Sequence, residues 1–127
     1  MPAIAVLRKR GDFLAAARSR RVSTASFTLQ ARERGPHDAT PGADPQGMRV
    51  GFTCSKKVGN AVARNRAKRR LRAIASAVLP EAGRAGWDYV LIGRTGSTAT
   101  RDHAAMLEDL RGALRQVHLG PQKQSAS

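Results

Sequence analysis

Apolar positions along the chain fall into segments with distinct periods. Asp12 to Ala17 carries Phe13, Leu14 and Ala17 at helical spacing, with Leu7 just upstream, and predicts a short helix. From Ser26 to Ala31 the period changes to two, Phe27 and Leu29 alternating with Thr28 and Gln30, the pattern of a half-buried strand. Arg49 to Cys54 alternates again, with Val50, Phe52 and Cys54 on the inward side, which suggests a hairpin with the preceding strand. The residues between them, 32–47, hold Gly35, Pro36, Pro41, Gly42, Pro45 and Gly47 and read as a flexible loop.

A longer helix is expected from Asn60, a good N-cap, to Leu79, where Pro80 stops it. Its apolar arc is Ala63, Ala67, Leu71, Ile74 and Val78. Asp88 to Arg94, with the run Val90-Leu91-Ile92 between Gly86 and Gly93, reads as a buried strand. Asp102 to Leu119 repeats Leu107, Leu110, Leu114 and Val117 and is expected to end at Gly120 and Pro121, leaving 120–127 as a disordered tail. With one more short strand around Val22, the order predicts an α+β class: a two-layer sandwich, its mixed sheet of about four strands packed by three helices. The stretch from Cys54 through the long helix to Tyr89 reads as a parallel crossover, right-handed by the general rule.

At 127 residues the chain is expected to fold as one domain over residues 1–119. Its 23 lysines and arginines against 9 acids, a net charge of +14, require a polyanionic partner. One Trp, one Tyr and three Phe leave little for base stacking, so the grip is mainly electrostatic. A transmembrane run and a secretory signal are both absent from the sequence, so a cytoplasmic location without a membrane partner is expected. Cys54 stands alone, and His37, His103 and His118 lack metal-ligand spacing, so neither a metal site nor a catalytic histidine is expected.

The charge is concentrated. Between Asp44 and Glu81 no acid occurs, yet the stretch holds Arg49, Lys56, Lys57, Arg64, Arg66, Lys68, Arg69, Arg70 and Arg72. Arg64, Lys68 and Arg72 recur at every fourth position along one edge of the long helix. Arg66, Arg69 and Arg70 cover the rest of its exposed surface, with Asn65 between the groups. A merely solvated face interleaves acids at such spacings, and this one has none, so the cations point to nucleic acid. Ahead of the helix, the turn at Gly59 and the free N–H groups near Asn60, beside Lys56 and Lys57, suit a phosphate. The Gly-Lys-Ser/Thr ending of a nucleotide-binding P-loop is missing.

Three other classes fit less well. A structural rRNA-binding protein of ribosomal type shares the size and basicity and is the main alternative. A DNA-binding regulator would need a turn and second helix before the basic helix and a dimer seam, neither of which is visible, so DNA is not expected as a partner. A free-standing nuclease would need clustered acids or a nucleophile paired with a base.

The string Arg49-Val50-Gly51-Phe52-Thr53, then Ser55-Lys56-Lys57-Val58-Gly59-Asn60-Ala61-Val62, then Arg64-Asn65-Arg66-Ala67-Lys68-Arg69-Arg70-Leu71-Arg72 resembles the protein subunit of bacterial ribonuclease P. Weaker agreement reaches Leu7, Asp12-Phe13 and Phe27 upstream and Asp88-Tyr89-Val90 with Arg94 downstream. The resemblance implies an α-β sandwich with a left-handed crossover through the basic helix, against the general rule. It implies an endoribonuclease that is a ribonucleoprotein: a large RNA subunit binds Mg2+, catalyses cleavage and releases the 5′ leader of precursor tRNA, and the protein carries no catalytic residue. Lys56, Lys57, Asn60, Arg66, Arg69 and Arg70 are then expected to bind the catalytic RNA. Phe13, Arg64, Asn65, Lys68 and Arg72 are expected to border a cleft for the leader. Ala17 and Gln30 stand where the family often has cleft aromatics, and Ala73 where an acid commonly follows the basic run.

Overall fold

The apolar run at Val90–Ile92 lies in the middle strand of a five-stranded mixed sheet. The computed structural model describes residues 4–34, 47–54 and 56–126, with Lys56 and residues 120–126 described by their backbone alone. Its elements in chain order are β1 (Ile4–Val6), α1 (Arg10–Ala17), β2 (Arg20–Ser23), β3 (Phe27–Glu33), β4 (Met48–Thr53), a 3-10 turn at Lys56–Val58, α2 (Ala61–Ala82), β5 (Trp87–Gly93), α3 (Ser97–Thr100) and α4 (His103–Ala126). The strands lie in the order β1-β4-β5-β3-β2.

The hairpin suggested for the strands flanking the loop does not form. β5 lies between them, antiparallel to β3 with Leu29 opposite Leu91, and parallel to β4 with Val50 opposite Tyr89. A strand that is apolar toward both faces is stable only where both faces are covered, and that places β5 in the centre. β3 makes its hairpin with β2 instead, Val22 opposite Leu29. The expected parallel crossover from β4 through α2 to β5 is present. β1, parallel to β4 from Ile4–Met48 to Val6–Val50, was not foreseen. Most of the expected loop, residues 35–46, lies outside the described residues, but its ends do not: β3 continues through Arg32 and Glu33, and Gly47 accepts a hydrogen bond from the Gly86 N–H at 3.1 Å.

One face of the sheet carries the main core. Phe27, Leu29, Val50, Tyr89 and Leu91 pack there against Leu71, Ile74 and Val78 of α2 and Met106, Leu110 and Leu114 of α4. The other face is covered by α1, where Ala16, Leu7 and Val90 are buried with Phe13 and Ile92 against them. The apolar face expected for α1 is therefore corrected. Phe13 and Ala16, one turn apart, face the sheet, whereas Leu14 and Ala17 are exposed.

Both long helices run past the prolines expected to end them. Proline removes one N–H from the helix and leaves one carbonyl four residues back without its partner. In α2, Pro80 stands one turn from the end and releases only Ser76, which is exposed, so the helix continues to Ala82 and Gly83 N–H closes on Leu79. In α4, Pro121 releases the carbonyl of Val117, which accepts a hydrogen bond from the Arg20 guanidinium at 2.9 Å. The backbone stays helical to Ala126 across the stretch expected as a disordered tail.

On the α1 side, Asp88 is fully buried. Arg49 binds it with two N–H groups at 2.8 and 2.7 Å, and Arg34 and Arg32 complete the cluster. Arg49 also reaches Asp12 of α1 at 3.3 Å, so the buried charge fixes α1 to the sheet.

Candidate nucleic-acid interface

α2 is half-buried along its whole length, and its cations divide by helical phase. Its first turn is held by Asn60, whose side-chain oxygen accepts from the Ala63 N–H at 3.0 Å. Gly59 before it has φ of +141°, and a Cβ there would lie 2.8 Å from Ala63, so the entry requires glycine. Ala67, Leu71, Ile74 and Val78 anchor the inner face in the core.

The row Arg64, Lys68, Arg72 follows β4. Arg64 and Lys68 lie close enough to Cys54 to act on its thiol, where burial pushes the pKa up against the downward pull of the Gly93 backbone and these two cations. Arg72 places its guanidinium 5.5 Å from the centre of the Phe52 ring. Asn65, Arg66 and Arg69 face solvent. Among the described residues no carboxylate pairs with Arg64, Arg66, Lys68 or Arg69, and none of these four side chains has a hydrogen-bond partner. With Ala73 after Arg72, the helix carries no acid before Glu81 near its end.

Arg70 stands apart from the RNA-facing set in which it was expected. Its guanidinium donates to the carbonyls of Thr98 at 2.9 Å and Arg101 at 2.5 Å and ties α2 to the α3 turn. Lys57 is exposed at the entry of the helix, where its backbone carbonyl accepts from the Thr95 hydroxyl at 3.0 Å. The Lys56 side chain lies outside the described residues.

Phe13 and Arg72, both expected to border the leader cleft, lie on different faces of β4. The ring of Phe13 lies on Gly51, on the α1 face of β4, whereas Arg72 covers Phe52 from the α2 face. The two walls therefore flank β4 on opposite faces. At the outer edge of the strand, β1 pairs with β4 only as far as Val50 and leaves Gly51–Thr53 without a strand neighbour on that side among the described residues. Gln30, 6% exposed on the α1 face, has no side-chain hydrogen-bond partner among the described residues. Sequence reasoning missed Arg32, Arg34 and Arg49 as a group; the signal available was Asp88, a carboxylate at the head of an otherwise apolar strand.

Among the described residues, no group of three or more His, Cys, Asp or Glu side chains is placed to hold a metal ion. No described helix is long and apolar enough to cross a membrane.

Comparison with known proteins agrees with this geometry. The family model for ribonuclease P matches residues 1–118. The ribonuclease P protein component of Ruegeria pomeroyi is 62% identical over 115 residues, covering 91% of this chain and 87% of that one. That of Erythrobacter litoralis is 46% identical over 116 residues, covering 91% and 88%. Among solved structures, the ribonuclease P protein of Thermotoga maritima superposes with a TM-score of 0.69 at 25% identity, covering 87% of this chain and 96% of that one. The Staphylococcus aureus protein gives 0.65 at 22%, which speaks for the fold alone. The family match over nearly the whole length and the identities to these relatives show that the chain belongs to the ribonuclease P protein family, the protein components of that ribonucleoprotein endoribonuclease.

Proposed function

We propose that this ribonuclease P subunit docks on the catalytic RNA through the outward cations of α2 and holds the 5′ leader of precursor tRNA along the open edge of β4. Cleavage itself is the work of the RNA, in the bacterial cytoplasm. The observation that carries the reading is the set Arg64, Arg66, Lys68 and Arg69, unpaired among the described residues, on a helix whose other face is locked in the core. Such cations are not neutralised by carboxylates among the described residues, and the buried face of the helix holds them in one array. They bind phosphate with little further ordering and release the counterions condensed on the RNA.

A single strand needs a cationic rail and a few stacking surfaces. Arg64, Lys68 and Arg72 supply the first along β4, and the half-buried Phe13 ring supplies the second. Ala17 and Gln30 add no aromatic surface, so charge carries more of the leader affinity in this chain.

Among the described residues the donor set does not fit a hydrolytic magnesium site. Asp12 and Asp88, the carboxylates of the α1 face, are engaged by arginines. Magnesium is therefore assigned to the RNA, and the protein lowers phosphate repulsion so that the folded RNA needs less of it. Reconstitution with the organism's ribonuclease P RNA at low magnesium tests this. Precursor tRNA cleavage is expected to rise well above that of RNA alone, and an unchanged rate rejects the reading.

A further inference from the structure

On the side of α2 away from β4, the packing of α2 against α4 leaves a cavity of about 400 Å³ that the α2 cations do not reach. Arg111, Arg115 and His118 recur at helical spacing on one side of α4, and they face the end of α2 at Glu81 and the turn at Arg84. Leu114, buried, and Leu119, 46% exposed, give the same cavity an apolar wall.

The polar groups here are nearly all donors. Arg84 and Arg115 are exposed and have no side-chain partner among the described residues. Arg111 shares its charge with Glu108 at 2.7 Å, and Glu81 is the carboxylate of the lining. His118 is set by Tyr89. The phenol oxygen accepts from the Arg84 backbone N–H at 2.9 Å and lies 2.9 Å from Nε2 of the imidazole. The other ring nitrogen, Nδ1, is buried without a hydrogen-bond partner among the described residues. Burial first, then the cations Arg84 and Arg20, push the His118 pKa down to about 4.

We infer that this cavity is a second RNA-contact site that takes one unstacked nucleotide, its base against Leu114 and Leu119 and its phosphate between Arg84 and Arg115. The inference rests on the RNA-binding role proposed above and extends it to a separate segment of RNA. Lys68 and Glu81 are 13 residues apart on α2, about 20 Å at 1.5 Å per residue, too far for one nucleotide to serve both places. An apolar wall beside planar guanidiniums suits a base, which an acidic peptide does not offer. The volume lies within the range of small-ligand sites.

The test uses the full chain, with three probes followed by NMR: adenosine 5′-monophosphate, inorganic phosphate and a hexaglutamate peptide. The nucleotide is expected to shift the His118 ring and the Leu114 and Leu119 methyl signals saturably, and to raise the His118 pKa, because its phosphate offsets Arg84 and Arg20. Inorganic phosphate is expected to move His118 less and the leucines not at all. The Arg84→Ala/Arg115→Ala variant is expected to lose these shifts and to bind ribonuclease P RNA about tenfold more weakly, with a shallower salt dependence. Response to hexaglutamate without response to the nucleotide overturns the assignment in favour of an acidic protein partner. If this variant binds RNA like the parent chain while Arg66→Ala/Arg69→Ala does not, the second site falls and the α2 interface stands. If neither variant weakens RNA binding, both readings fall.

Discussion

The Phe13 ring rests directly on the backbone of Gly51, so closely that a Cβ at position 51 would sit 2.6 Å from the ring carbons and 3.1 Å from the Cβ of Leu7. Glycine at this point of β4 is thus a packing requirement, since its backbone is ordinary extended strand. It sets the depth at which the aromatic of α1 meets the sheet.

Gly51→Ala is therefore expected to displace the Phe13 ring and to lower stability by about 1–3 kcal/mol, the usual cost of overpacking. Leader-dependent affinity for precursor tRNA should fall with it, and association with the catalytic RNA should not. Denaturant unfolding of Gly51→Ala, Phe13→Ala and the double variant checks this: the double variant should recover part of the loss, and strictly additive effects would refute the contact.

Arg69 and Arg70 are neighbours in sequence and opposites in structure. Arg70 holds two backbone carbonyls of the α3 turn, and Arg69 faces solvent. Arg70→Ala is expected to cost about 1–3 kcal/mol, as for loss of charged hydrogen bonds to partly buried carbonyls. Arg69→Ala should stay within about 0.5 kcal/mol of the parent chain, as exposed positions do. Thermal and denaturant unfolding of the two single variants separate them, and equal losses would contradict the division of α2 described above.

Much of this was legible in the chain and some was not, for definite physical reasons. Burial of β5 and the faces of α2 followed from local periodicity, because each side chain there obeys the pattern of its own element. Strand order did not. Val50 opposite Tyr89 and Leu29 opposite Leu91 are long-range choices, and alternation in β3 and β4 is equally compatible with a direct hairpin. Arg64, Arg66, Lys68 and Arg69 were readable as a rail because the stretch contains no acid. Arg70 was not distinguishable from them, since its partners are backbone carbonyls that carry no sequence signal. The helix ends expected at Pro80 and Pro121 differ for a related reason: a lone proline near a helix end releases one carbonyl, and solvent or Arg20 supplies what it lacks.

His118 makes stability depend on pH in mildly acidic solution. Its pKa, held down to about 4 by burial and by Arg84 and Arg20, compares with an ordinary 6.5 in the unfolded chain. Between these values the unfolded state binds more protons, so stability is complete above about pH 6.5 and is lost progressively toward pH 4. Unfolding free energies measured across that range should rise with pH in the parent chain and rise less steeply in His118→Gln. Parallel curves would show that the imidazole is not held neutral by the fold.

The salt dependence of RNA binding gives the sharpest check on the α2 rail. Each phosphate contact made by a cation releases condensed counterions, and the slope of log affinity against log salt falls by roughly 0.7–0.9 for each contact removed. Arg66 and Arg69 are exposed and lack intramolecular partners among the described residues, so their loss removes contacts without disturbing the fold. Arg66→Ala/Arg69→Ala is expected to flatten the slope by about one to two, with unfolding unchanged, when binding to the catalytic RNA is measured between about 50 and 200 mM salt. A weaker affinity with an unaltered slope would mean that these guanidiniums do not meet phosphate, and the array on α2 would then need another anion to explain it.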